Sequence, residues 1–318
     1  MIRLGFAILA HERLDRAAAL VGHLSGHGAP GAVHLDPRAG DPGPLVGIPG
    51  VTVLRTRQAD WGRFGLVEAT LDCVETLLQG PEIDHVCLIS GSCLPLRGVA
   101  ELAAMLSEQP DTDFIESVSV ANDNWVQGGL SRERFTLFHP FSWRRQRRLF
   151  DLAVDVQRAL RVRRKIPDEL QPHLGLQWWC LSTRTLRALL EDGRLPAWRR
   201  FFRRTWIPDE GFFQTLVRAL RPEQEPLPPL HLARFDPRGR PYVFHDDHAE
   251  LLAGSGAWFA RKIDPDADAL YERFLADTQT PSAPSDIDTA FEAARDRENS
   301  EGTGLLSAAR YPRRTTQI

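Results

Sequence analysis

Pro208-Asp209-Glu210 sets two carboxylates side by side behind a proline and ahead of the apolar pair Phe212-Phe213. A proline suits the first turn of a helix, and acidic side chains there complement the positive end of the helix dipole. The same pair, once partly buried, also suits general acid–base chemistry, because burial raises a carboxyl pKa toward neutrality. A second cluster is cationic. The chain has only two lysines, Lys165 and Lys262, in an arginine-rich background. A compact ammonium is not interchangeable with a guanidinium at a tight site. Lys262 closes Phe259-Ala260-Arg261-Lys262, and Arg238 and Arg240 stand upstream of it. These four cations are candidates to neutralise a phosphate through charge-assisted hydrogen bonds; a plain surface basic pair is the other reading.

Further polar turns follow strand-like runs. Ala10-His11-Glu12-Arg13 ends the first, and Asp36 ends the second ahead of Pro37. Such an acidic residue either accepts ribose hydroxyls or caps its turn. Ser90-Gly91-Ser92-Cys93-Leu94-Pro95-Leu96 ends a later strand with small residues that let a ligand approach the backbone, or that merely make a tight turn. Trp61 in Asp60-Trp61-Gly62-Arg63 is a core residue or a ligand platform. A glycine-rich phosphate loop is absent after the first strand, which argues against a dinucleotide dehydrogenase or a P-loop kinase. Asp-x-Asp occurs at Asp111–Asp113, Asp264–Asp266 and Asp286–Asp288, in no case after a buried strand. These matches read as chance, and no metal is expected.

The elements that position these residues alternate between strand and helix. Phe6–Ala10, Ala32–Asp36, Val51–Leu54 and His85–Ser90 read as strands; His11–Leu24, Leu66–Leu78 and Val99–Leu106 read as helices. Repeated units of this kind predict an α/β fold, a Rossmann-like, mostly parallel sheet flanked by helices, with ligands at the carboxyl ends of the strands. The region from 121 to 172 is less regular, aromatic and Arg-rich, with helix between Gln146 and Leu160. Its Arg144–Lys165 stretch is a solvated face or a surface for an anionic partner, peripheral membrane association included.

A chain of 318 residues, with 42% hydrophobic and 25% charged residues, has the composition of a soluble globular protein. Its net charge of −3 gives no case for nucleic acid. Cys73, Cys87, Cys93 and Cys180 lack paired spacing and read as buried free thiols. With no leader-like start and no long apolar run, the expected compartment is cytoplasmic. One domain is expected over 1–275, divided near 120 into a nucleotide-binding half and a catalytic half. A poorly ordered tail is expected over 276–318.

The ordered set of motifs resembles the core-2/I-branching β-1,6-N-acetylglucosaminyltransferase family, which also contains peptide O-xylosyltransferases. The resemblance runs from Ile2 to about Ile263. Ala10–Arg13, Val33–Asp36, the Trp61 turn, Ser90–Leu96, Gly175-Leu176-Gln177-Trp178-Trp179, Pro208–Glu210 and Phe259–Lys262 are each similar to a family motif, in the same order. The resemblance implies a GT-A-type glycosyltransferase that inverts configuration without a metal and uses a nucleotide sugar and a glycan acceptor. It implies Glu210 as general base and Lys262 with Arg240 or Arg238 on the diphosphate, and it turns Glu116 toward the acceptor.

On that footing His11 and Asp36 hold the uridine end, Trp178 and Trp179 wall the sugar pocket, and Trp206 and Phe213 partly bury Glu210 and raise its pKa. The donor is read as UDP-GlcNAc, with UDP-xylose, or a catalytically silent carbohydrate-binding module, as alternatives. The chain departs from the family pattern at Cys93, where an acidic residue is usual, and at Leu176, where serine is usual. It also lacks the membrane anchor and disulfide framework of eukaryotic members, and so resembles a trimmed bacterial relative.

Overall fold

The computed structural model describes residues 2–122, 130–235 and 241–276. The first strand, β1 (Leu4–Ala10), is buried at all seven positions, so both of its faces must be covered. It lies inside a six-stranded sheet with β2 (Gly31–Leu35), β3 (Val51–Leu54), β4 (His85–Ser90), β6 (Phe114–Ile115) and β9 (Trp179–Ser182), in the order β3-β2-β1-β4-β9-β6. Pairing is parallel from β3 through β4 and antiparallel on both sides of β9.

Side chains alternate across β1. Phe6, Ile8 and Ala10 pack with the buried faces of α1 (Leu14–Gly26) and α3 (Val99–Ser107). Ala7 and Leu9 join the other layer, made by α2 (Gly65–Gln79), α6 (Thr183–Glu191), α7 (Leu195–Phe202) and α8 (Phe212–Leu220). All four cysteines are buried and free, as their apolar surroundings predict.

Two smaller sheets bring distant segments back to the carboxyl edge. In one, β11 (Phe259–Arg261) pairs with β10 (His231–Ala233) and with β5 (Leu94–Pro95), the short strand just after the Ser90–Cys93 turn. The packing of α9 (Ala249–Ala253) and α10 (Asp268–Leu275) closes a separate apolar cluster over this sheet. In the other, β7 (Val118–Ser119) pairs with β8 (His173–Leu174), which sets Gly175 beside Glu116. The irregular middle supplies α4 (Glu133–Thr136) and α5 (Arg147–Ala159).

Two boundaries differ from the sequence reading. The first helix starts at Leu14 rather than His11, because Arg13 has a left-handed φ of 44° that turns the chain before the helix begins. Pro208–Glu210 forms its own 3₁₀ turn rather than the first turn of α8. The separation falls at Gly211, whose φ of −140° is not helical and where a Cβ would lie 3.1 Å from the Phe135 ring. Past Ala276 the expected tail lies outside the described residues.

Asp113, from the first Asp-x-Asp, is buried at the foot of the sheet. Its carboxylate accepts the Ser182 N–H and Oγ–H at 2.9 and 3.1 Å and the Thr185 hydroxyl at 2.6 Å, which fixes the start of α6. Asp113→Ala would orphan these buried donors and cost about 3 kcal/mol. The expected result is a lower urea midpoint with an unchanged m-value; an unchanged midpoint contradicts this reading.

Candidate active site

The carboxylate end is built on an unusual turn. Ile207 has φ of 49°, a conformation that a β-branched residue adopts only under tertiary constraint. It is buried and packs toward Gly62, itself at φ 70°, where an added Cβ would contact both Ile207 and Trp206. The turn drives Asp209 into the interior and leaves Glu210 at its edge.

Asp209 is buried, and its Oδ1 has no hydrogen-bond partner among the described residues. Burial first, and then the neighbouring Glu210 charge, push its pKa up to about 7. Glu210 keeps 26% of its side chain exposed, and its Oε2 accepts a charged hydrogen bond from Arg134 Nη1 at 2.7 Å. Its other oxygen has no hydrogen-bond partner among the described residues. The Arg134 guanidinium is nearly sealed, donates to the Leu130 carbonyl at 2.9 Å and lies 5.2 Å from the Trp206 ring centroid.

The loop 175–178 ties Glu210 to the rest of the edge. The Gly175 N–H donates to the Glu210 carbonyl at 3.0 Å, and the Leu176 N–H to Glu116 Oε2 at 2.9 Å. Gln214 Nε2 donates to the Leu176 carbonyl at 2.6 Å, and Ser117 Oγ to the Gln214 carbonyl at 2.8 Å. Glycine is required at 175, since a Cβ there would fall 1.9 Å from the Glu116 carbonyl oxygen.

At the far end of this loop Trp178 carries the Arg261 guanidinium 4.4 Å from its ring centroid. Arg261 Nε also reaches Ser90 Oγ at 3.4 Å, and burial lowers its pKa. It has no carboxylate ion-pair partner among the described residues. His231 stacks on Phe259 nearby, and burial, followed by the Arg261 charge, pushes its pKa down to about 3, so the ring is neutral. Lys262 pairs with Glu12 at 2.6 Å, and this bond holds the Glu12 carboxyl below its usual range. His11 is largely exposed beside them, 3.8 Å from Glu12. Gly91 donates its N–H to the Leu9 carbonyl, and a Cβ there would lie 3.0 Å from that of Ala17, so the turn packs tightly on the end of β1.

His11, Ser90, Gly91, Arg261 and Lys262 therefore share one edge, and Glu116, Trp178, Asp209 and Glu210 join it through the 175–178 loop. Arg238 and Arg240 lie outside the described residues. Two assignments are corrected by burial. Trp179 is fully buried against Phe213 at 4.9 Å and walls no pocket. Asp36 has its four acceptor positions filled by Arg38 Nε, Nη2 and N–H and by the Ala59 N–H, all at 2.7–2.9 Å. It caps its turn and anchors the loop after β3. Trp61 is half-buried, tilted against Trp143 at 5.7 Å under the Arg144 guanidinium, and it borders Trp206 through Trp143. Arg134 and Glu12 escaped the sequence reading. Glu12 lay inside a quoted motif, whereas Arg134 had no spacing signal at all.

A family model described as Core-2/I-Branching enzyme matches residues 34–230, more than half of the chain. The chain belongs to the Core-2/I-Branching enzyme family. Its mostly parallel sheet flanked by helices on both faces is the GT-A-like arrangement expected of that family. The chain is also 27% identical over 177 residues to a protein named Xylosyltransferase oxt from Drosophila melanogaster, and 28% identical over 178 residues to the one of the same name from Drosophila pseudoobscura pseudoobscura. Each match covers 54% of this chain and 18% of the relative's length.

The Asp209 shift gives a pH signature. From about pH 4, where an ordinary aspartate ionises, to about 7, the unfolded chain has released this proton and the folded chain retains it. Stability of the native protein therefore falls as pH rises through that window, and the loss persists above it. Asp209→Asn removes the effect. Thermal melts should show the variant gaining on the parent between pH 5 and pH 8, and an equal difference at both values contradicts the shift.

Proposed function

We propose that the chain transfers a sugar from a UDP-sugar to a hydroxyl of a glycan acceptor, inverting at the anomeric carbon without a metal. The observation that carries this reading is the pairing of a partly exposed carboxylate, one of whose oxygens has no hydrogen-bond partner among the described residues, with an Arg261–Lys262 cation pair at the strand edge. In a single in-line displacement the acceptor oxygen bonds to the anomeric carbon, the bond from that carbon to the phosphate oxygen breaks, and the acceptor proton passes to Glu210. Arg134 holds Oε2 and so points Oε1 at that proton. Arg261 and Lys262 take up the charge that develops on the leaving diphosphate. Lys262 would exchange Glu12 for phosphate when the donor binds. Glu116 positions the acceptor, and His11, Ser90 and Gly91 border the nucleotide. Arg238 and Arg240 are further candidates for the diphosphate.

The donor sugar is read as N-acetylglucosamine, moved into a β-1,6 linkage. UDP-xylose is the second reading, favoured by the xylosyltransferase relatives. A mass-spectrometric donor panel with and without EDTA separates the two and tests metal independence at the same time.

Glu210→Gln keeps an oxygen that accepts from Arg134 but cannot take up a proton. Transfer should fall by about 10²–10⁴-fold, with UDP affinity by calorimetry unchanged. Full activity in the variant would remove Glu210 from the role of base.

A further inference from the structure

The described residues expose five large apolar side chains, and four of them belong to one helix. Leu149, Leu152 and Val156 on α5, with Leu160 at its C-cap, are 44–71% exposed. Their spacing of three, four and four residues lines them along one face. The opposite face is occupied: Phe150 and Val154 are buried with Leu137, Phe150 lies 5.2 Å from Trp206, and Gln157 bonds both backbone polar groups of Phe138. The leucine stripe is therefore a second apolar face, unneeded for folding the helix onto the domain.

Its surroundings are strongly cationic. Residues 144–165 contain nine basic side chains against two acidic ones, Asp151 and Asp155. Arg147 and Arg158 are paired, with Asp151 and Glu133. The exposed Arg148, Arg161 and Arg163 have no carboxylate partner among the described residues. The exposed Arg144 lays its guanidinium over the Trp61 ring, 4.5 Å from the centroid.

We infer that α5 docks on the headgroup layer of an anionic bilayer. Leu149, Leu152, Val156 and Leu160 enter the acyl boundary, while Arg144, Arg148, Arg161 and Arg163 meet lipid phosphates. A second copy of the chain fits less well, because two-fold pairing would bring the same basic cluster against itself. A soluble polyanion satisfies the arginines but leaves the leucines in water. No helix among the described residues is long and apolar enough to cross a membrane, so docking of this kind is peripheral. The inner face of α5 meets Trp206, next to the Pro208–Glu210 turn, through Phe150, so docking of the outer face holds the site close to the surface. If the transfer reading above holds, the acceptor is one carried on the membrane.

The test needs no donor or acceptor, so its outcome is separate from that of the transferase reading. The full chain is floated with vesicles of phosphatidylcholine alone and of phosphatidylcholine mixed with phosphatidylglycerol. Binding to the anionic vesicles only, weakened by salt, is expected. Leu152→Ser combined with Leu160→Ser should reduce it about tenfold or more, from the lost apolar contact of two side chains. The double variant should keep the parent's melting temperature. Arg148→Glu combined with Arg163→Glu should reduce binding comparably. The inference is overturned if the chain ignores anionic vesicles, or if the leucine variants bind them as the parent does. It is equally overturned if light scattering shows a parent dimer that the leucine variants convert to monomer, or if the chain prefers a soluble anionic polysaccharide to the vesicles.

Discussion

The backbone of Gly175 runs so close to the Glu116 carbonyl that no side chain fits between them, and the site depends on that approach. One face of the loop then donates to Glu210 and Glu116 through consecutive N–H groups, and its far end carries Trp178 to Arg261. Three segments widely separated in sequence are thereby tied to one loop, two of them by hydrogen bonds from its backbone N–H groups and the third by the Trp178–Arg261 contact. Such bonds position charge with little loss of conformational entropy on ligand binding, which is what a preorganised site requires. The short β7–β8 pairing and the Gln214 bond to the Leu176 carbonyl brace the loop from behind.

Charge along this edge is divided by burial. The turn at Ile207 sends one carboxyl of an adjacent pair inward, where the pKa climbs to about 7, and keeps the other beside Arg134. At the other end Lys262 shares its charge with Glu12, while Arg261 is sequestered on Trp178 with no acidic ion-pair partner among the described residues. An arginine kept charged and partly desolvated in this way is poised for an anion from outside the chain. The free protein therefore already holds the proposed base and the proposed phosphate cations on either side of one loop.

Much of this was legible in the sequence, and the misses share a cause. The four parallel strands fall where the sequence placed them, and the turns after β1, β2 and β4 begin at the polar residues it singled out, His11, Asp36 and Ser90. Burial was the overlooked constraint at Trp178 and Trp179: both rings lie in the same buried apolar cluster, where Trp178 also meets the Arg261 guanidinium and Trp179 packs on Phe213. The break between Pro208–Glu210 and α8 depends on the Phe135 ring, far away in sequence, and no local propensity encodes it. Arg134 likewise becomes a site residue only through the packing of the irregular middle region, where periodicity gives no guide. Asp36 was open to two readings; Arg38, two residues on in the same turn, fills three of its acceptor positions, and only the fourth is taken by Ala59 from a loop that the sequence does not place.

The central claim is that one loop couples the cation end of the site to its carboxylate end. Amide hydrogen exchange of the full chain, with and without saturating UDP, tests it most directly. The account predicts protection in peptides covering 89–93 and 259–263 and, through Trp178 on Arg261, in the peptide covering 174–179. Protection confined to other segments, with 174–179 and 259–263 unchanged, would contradict it.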